Sequence, residues 1–482
     1  MMSPILILII FCIFTGLVQL LAGRKWASYI GLASSVIGLL YFLFLLTDLD
    51  LQAGLMYPLE FKWIPGLEVS FSLGMDSQNL LLLLLVFLIM PVGQIVSITG
   101  SEQKSTAYYC LMSLGQAALI GFFSAQNPFT FYLFFELALI PFYLMVLMYG
   151  GEYRRRAVFK FFMYTVFGSF LMLAGIIYYY TLLPAGGSNV QWATMNSMPI
   201  GIENQYWIFA ALLIAFAIKS PLFPFHTWQA ELYTQGDRPA IIIIAAVLSK
   251  MGLFGFIRFY PLCADAIQNW SYFLIPICIA GILYGAIVAW RQSIMTKILA
   301  YSSLSHIGMI AAAIFTGTVV GIQGALFQMF THGILAASLF YVVDVIIRRT
   351  GENNIYGSAG MAKIHPRLAV YFFIIVLASV GLPLTNGFIG EFYMLWGLTE
   401  KSIWYGAFAG LSIILGAIYM LRFYQKSMFG DLQTEHEPKW HKLELTEDYV
   451  LLVSVILILS FGFFPATWMD LTQQAANHLL TK

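Results

Sequence analysis

Runs of about twenty consecutive apolar residues recur from one end of this 482-residue sequence to the other. Each is long enough to carry an α-helix across a hydrocarbon layer about 30 Å thick. Lipid cannot hydrogen-bond an exposed backbone group, so such runs are driven into helices that satisfy their own amides. The expected class is therefore an all-α polytopic membrane protein. Charge agrees: only 10% of residues are Asp, Glu, Lys or Arg, against roughly a quarter in soluble domains. The first run, Pro4 to Ala22, lacks a basic start and a small-residue cleavage pattern, and is expected to remain as a span. No long polar domain interrupts the series, so residues 1–482 read as one membrane domain.

Several function classes drop out. Cys12, Cys110, Cys263 and Cys278 are scattered with no CxxC pair, so neither a metal site, an iron–sulfur cluster nor a disulfide framework is expected. No GxGxxG or phosphate loop sits between a strand and a helix, so no nucleotide cofactor is expected on this chain. Net charge is +1, with the basic residues at loops, which argues against a nucleic-acid partner. The partner it does imply is the lipid bilayer.

About fourteen spans follow from the twenty-residue rule, near 4–22, 27–46, 74–98, 105–124, 128–149, 155–182, 206–225, 238–260, 272–290, 295–315, 319–347, 369–397, 403–428 and 446–466. The longest loops are 47–73, 183–205 and 429–445, and the first, rich in Pro, Gly and acids, reads as a surface loop or short hairpin. Basic residues test this count. Seventeen of the 24 lysines and arginines, from Arg24 and Lys25 to Lys439 and Lys442, fall in loops after odd-numbered spans. Four (Lys62, Arg258, Lys401 and Lys482) fall on the other side, and Lys160, Lys219 and Lys250 lie inside spans. Basic loops stay cytoplasmic, so both termini are expected on the opposite side.

Two spans are interrupted. Span seven meets Pro221 and Pro224 in AIKSPLFPFHTW, and span twelve meets Pro383 in VGLPLTNGFIGEF. Proline removes a backbone donor and clashes with the preceding turn. Such a break is tolerated at membrane depth only where protein or a wet cavity satisfies it. The breaks lie five spans apart, and an odd-numbered unit must insert its second copy upside down. Two inverted five-helix repeats are therefore expected, 105–260 and 270–428, with the transport route at the paired breaks.

Six ionisable residues sit near span centres: Glu136, Lys219, Lys250, His306, His332 and Glu391. A charge there costs roughly 3 kcal/mol or more, so six of them call for a purpose. Acids, amines and imidazoles in series suit a proton relay. Burial disfavours a charged group and a nearby opposite charge restores it, while imidazole exchanges protons near neutral pH. A carboxylate at Glu136 would hold a proton on Lys219, and its withdrawal would release that proton down the line. The plainer readings stay open. Glu136 with Lys219 could be helix-to-helix glue, and Lys250 could be the same. Each histidine could hydrogen-bond a neighbouring helix, His306 after a Ser-rich turn in YSSLSH. Glu391 has no apparent local partner. Lys160 reads as snorkelling or pairing with Glu152, and Asp344 as an ion pair with Arg348 one turn on. His226 would orient the broken segment or join the relay.

These residues bring a resemblance with them. FFELALIPFY, KFFMYT, AIKSPLFPFHTW, KILAYSSLSHIGM, QMFTHGILAASLF and GLPLTNGFIGEF resemble the antiporter-like subunits of respiratory complex I, in the same order over residues 75 to 430. Glu391, where sister subunits and Mrp-type antiporter subunits carry lysine, is similar to the M type within that family. The resemblance implies fourteen helices with helices seven and twelve broken. It implies a driving pair Glu136–Lys219, central carriers Lys250, His306 and His332, and an outlet at Glu391. It also implies antiporter-like neighbours on both sides in a bacterial inner membrane, and partners that hold FMN, iron–sulfur clusters and quinone. No lateral helix is expected beyond span fourteen. Two departures stand out: HTWQAELYTQGDRPA replaces a loop the family writes with proline and acids elsewhere, and IMTK leaves Lys297 without an adjacent acid. An Mrp-type Na+/H+ antiporter subunit, a membrane arm of a hydrogenase or ferredoxin-fed complex, and a structural scaffold remain as alternatives.

Overall fold

A computed structural model describes residues 3–48, 54–64, 69–100, 103–183, 191–195, 200–431 and 443–480. In chain order its elements are α1 (Pro4–Leu21), α2 (Arg24–Leu45), β1 (Met56–Ile64), β2 (Val69–Met75), α3 (Leu80–Thr99), α4 (Thr106–Ser124), α5 (Pro128–Leu137), α6 (Leu139–Tyr149), α7 (Arg154–Thr181) and α8 (Trp192–Met195). There follow α9 (Ile202–Lys219), α10 (Gln229–Gln235), α11 (Arg238–Ala246), α12 (Met251–Phe259), α13 (Ala264–Arg291), α14 (Met295–Thr316), α15 (Val319–Thr350) and α16 (Met361–Ile364). The last are α17 (Pro366–Ser379), α18 (Asn386–Lys401), α19 (Ile403–Met428), α20 (Leu445–Phe463) and α21 (Ala466–Leu480).

Among the described residues, thirteen helical stretches are long and apolar enough to cross a membrane, counting α5 with α6 and α11 with α12 as one each. The interrupted pair α17 and α18 makes the fourteenth span. Local chemistry sets the ends. Ser105, Asn127 and Thr318 accept from backbone N–H groups of the first turns of α4, α5 and α15, as N-caps should. Pro4, Pro128 and Pro366 open helices where their missing donor costs nothing.

The first long loop does hold a hairpin. β1 and β2 pair antiparallel with Phe61 opposite Phe71, their rings stacked at 5.0 Å. The strand takes residues that looked like the start of span three. Asp76 then accepts from the N–H groups of Gln78 and Asn79, so α3 begins only at Leu80. One other expectation changes. YSSLSH is no turn but the middle of α14. Beyond span fourteen lies a further helix, α21, which buries Met469, Leu471, Thr472, Ala475, Ala476 and Leu479 and lies against α15. The third long loop falls mostly outside the described residues.

The core sits around three spans. The α11–α12 span is buried throughout, and α14 and α15 almost so. Peripheral helices such as α7 turn Phe159, Phe167 and Phe170 outward, as a lipid- or subunit-facing surface would. The polar side chains of interest lie on or against the buried spans.

Candidate functional site

Each amine or acid in the first half of the series sits at a flaw in its helix. Pro141 cannot donate to the Leu137 carbonyl, and span five is divided at Ala138, two residues past Glu136. Lys219 is the last residue of α9. Lys250 closes a 3₁₀ turn, Leu248–Lys250, that separates α11 from α12, the kind of mid-helix tightening often found at hinges.

The break after Lys219 can be followed atom by atom. Pro221 has no N–H to offer the Ala217 carbonyl, which accepts instead from Leu222 N at 2.8 Å. That leaves the Ile218 carbonyl without its helical donor, and the indole Nε1 of Trp228 fills the place at 3.0 Å. Ser220 Oγ accepts from Leu253 N at 2.9 Å, stitching this break to the start of α12, just past the Lys250 turn. Gly252 permits the approach: a Cβ there would stand 2.4 Å from the Phe216 carbonyl oxygen. The second break closes differently. Leu382 N donates to Leu377 O at 3.0 Å and Gly381 N to Ala378 O at 3.3 Å, a Schellman-type end with Gly381 at φ +71°.

Lys219 is buried, with Nζ donating to the Phe135 carbonyl at 3.3 Å and lying 4.3 Å from the Phe135 ring centroid. Glu136 is half-buried and within Coulombic reach, but no ion pair closes between them in this conformation. Lys250 is fully buried and donates to Ala245 O at 2.8 Å and Ser249 Oγ at 3.0 Å. His332, the next group in the series, is buried on α15. From there the groups are contiguous. The His332 and His306 rings are 5.4 Å apart, and His306 Nδ1 lies 3.3 Å from Glu391 Oε1. Glu391 therefore has a partner, supplied by α14 rather than by its own helix. A cavity of about 10 Å³ beside His306 and Glu391 is lined by Ser305, Ser379, Ser412 and Tyr419. Another of about 20 Å³ touches His306, His332, Ser302 and Ser303.

Other sequence readings find their places. Lys160 does not pair with Glu152: it donates to Thr227 O at 2.8 Å and lies 3.6 Å from Glu231, which also meets Arg156 at 3.3 Å. The acids of the unusual span seven–eight loop thus have cations of their own, since Asp237 pairs with Lys104 at 2.6 Å and accepts from Tyr108. Asp344 meets Arg348 at 2.9 Å as its spacing predicts, and also Arg238 at 2.8 Å. His226 is buried among Phe223, Tyr284 and Tyr301 and touches none of the six.

Sequence reasoning missed Arg258. Counted as a loop residue, it is buried at the end of α12 and pairs with Asp76 at 2.7 Å. It also missed the hydroxyls around the relay, such as Ser302 bonded to Tyr419 at 2.9 Å. The cluster of serines in YSSLSH was the available signal for these.

Comparison with known proteins follows the same line. Residues 125–463 match the family model described as NADH:quinone oxidoreductase/Mrp antiporter, TM. The chain is 34% identical to NADH-quinone oxidoreductase subunit M of Rickettsia bellii, over 94% of this chain and 92% of that one. It overlays a chain in the structure of respiratory complex I from Thermus thermophilus with bound NADH, with a TM-score of 0.90 and 31% identity, covering 99% of this chain and 100% of that one. A chain of the Mrp complex from Dietzia sp. DQ12-45-1b shares the fold, with a TM-score of 0.88 and 19% identity over 99% and 97% of the two chains.

Proposed function

The chain belongs to the NADH:quinone oxidoreductase/Mrp antiporter transmembrane family, and from that premise we propose that it is a proton-translocating membrane-arm subunit of a bacterial respiratory complex I. Glu136, Lys219, Lys250, His332, His306 and Glu391 form the relay in this reading. The observation that carries it is the contact series His332–His306–Glu391, three exchangeable groups from three helices, flanked by water-sized cavities in a membrane-spanning core. Glue between helices needs a pair of groups. It does not need three in file, with hydroxyl-lined space on either side.

The driving step falls to Glu136 and Lys219. A carboxylate brought to 4 Å from an ammonium stabilises it by about 4 kcal/mol at an effective dielectric near 20. That is a factor of about a thousand in proton occupancy. The observed conformation has the pair apart, so closing it is a movement available to the subunit. The flaws at Ala138 and Ser220 are where the helices can give. Lys250 and the histidines pass the charge on, and Glu391 receives it.

The two inverted repeats, 105–260 and 270–428, with breaks at matching places, fit alternating use of the two halves. The basic loops support a placement of both termini on the periplasmic face of the inner membrane. Partner subunits supply the electron carriers, FMN, iron–sulfur clusters and quinone, and antiporter-like neighbours flank this chain. Glu391 in place of lysine favours this reading over an Mrp-type subunit.

Glu391→Gln and Lys219→Ala in the assembled complex test the relay. Inverted membrane vesicles fed NADH should lose at least tenfold in quinone reductase turnover and in the pH gradient formed, with the complex intact by native gel. Full pumping in either assembled variant would rule the relay out.

A further inference from the structure

Two cavities in the half of the molecule that carries the basic loops share a wall. The larger, about 140 Å³, is bounded by Tyr233, Thr234, Arg238, Thr296 and Asn353 among others. The Arg238 side chain is 42% exposed, so this space opens outward. Its lining is a hydrogen-bonded set: Asn353 Nδ2 donates to Thr296 Oγ1 at 2.9 Å, and Thr296 Oγ1 to Thr234 Oγ1 at 3.3 Å. The smaller cavity, about 20 Å³, is the one beside His306 and His332. Phe340 lines both.

Polar atoms without partners face this route. Among the described residues, Ser303 Oγ and His332 Nδ1 in the inner wall are buried with no hydrogen-bond partner in the protein. Buried polar atoms are nearly always satisfied. Each cavity exceeds the roughly 10–15 Å³ that one water needs. Between them stands an apolar ring, 5% exposed, packed edge-on against Tyr233 at 5.3 Å.

We propose that the larger cavity is the port through which protons from the basic face reach the histidines, and that Phe340 is the plug that interrupts its water. An apolar constriction gates by excluding water, and a small turn of one ring is enough to join the two chambers. Such a plug would keep the relay from short-circuiting between strokes. The port rests on the relay reading above, because a port to idle histidines would serve nothing.

Cysteine labelling in the assembled complex tests it without relying on turnover. In a chain with the four native cysteines replaced by alanine, Thr234→Cys and Ser303→Cys are exposed separately to 2-aminoethyl methanethiosulfonate in inverted vesicles. Thr234→Cys should be modified readily and Ser303→Cys should be protected. Adding Phe340→Ala should speed modification of Ser303→Cys at least tenfold, and Phe340→Leu should give a smaller increase should the alanine variant fail to assemble. Equal labelling of Ser303→Cys with and without Phe340, or protection of Thr234→Cys, would overturn the port. A relay that failed its own pumping test would leave this labelling pattern unchanged, so the two failures can be told apart.

Discussion

At the scale of single residues, Glu391 shows most about how the site is made. Its carboxylate lies against His306 on one side and over Gly381 on the other, where a Cβ would stand 2.4 Å from Oε2. Gly381 is needed twice, for that space and for its φ of +71°. A left-handed conformation costs a residue with a Cβ roughly 1–2 kcal/mol. Gly381→Ala is therefore expected to lower the thermal midpoint modestly. It should cut NADH-driven proton uptake much more, because the carboxylate must leave its place beside His306. Equal loss in the two measurements would mean the glycine serves folding alone. From sequence Glu391 stood out as an acid with no local partner, and span contents could not show which helix would face it.

At the scale of elements, the broken span seven is a set of replaced hydrogen bonds. Pro221 and its consequences were legible; the rescue by Trp228 was not, because it depends on how the chain folds back after the break. Trp228→Phe keeps an aromatic ring, though a smaller one, and by removing the indole N–H strands the Ile218 carbonyl. An unpaired buried acceptor costs about 1–3 kcal/mol. The variant should show faster hydrogen exchange at residues 216–222 and a lower midpoint. Gly252→Ala should be worse. The added methyl meets the Phe216 carbonyl oxygen and Ser220 Oγ, so α12 must move away from the break. Reduced yield of assembled complex would register this, and wild-type yield would contradict the packing described here.

At the scale of the molecule, one ionic network joins distant spans. Asp344 on α15 bridges Arg238 at the start of α11 and Arg348 one turn along, while Glu447 at the start of α20 accepts from both Arg348 and Arg349. Most of these groups are buried, so removing one strands others. Glu447→Gln is expected to cost about 3–5 kcal/mol, seen as a sharp loss of assembled complex on native gels. The Arg156–Glu231 pair is the contrast. Arg156 is 83% exposed, so Arg156→Ala should leave assembly and midpoint unchanged. A large effect there, or none at Glu447, would reverse the ranking of the two contacts.

The sequence by itself determined the span count, the two breaks and the six ionisable residues near span centres. Each follows from a local rule: apolar length against bilayer thickness, charge against the cost of leaving water, proline against the helical hydrogen bond. The hairpin at 56–75 and the extra helix α21 needed neighbours to form, and the apolar length rule misplaced the start of span three by reading a strand as helix. Only the tertiary structure decided which of the six groups touch. It joined His332, His306 and Glu391, left Glu136 and Lys219 apart, and set Phe340 between two cavities. Those outcomes depend on the rotation of each helix about its axis, and packing against other spans sets that rotation, not hydrophobic content along the chain.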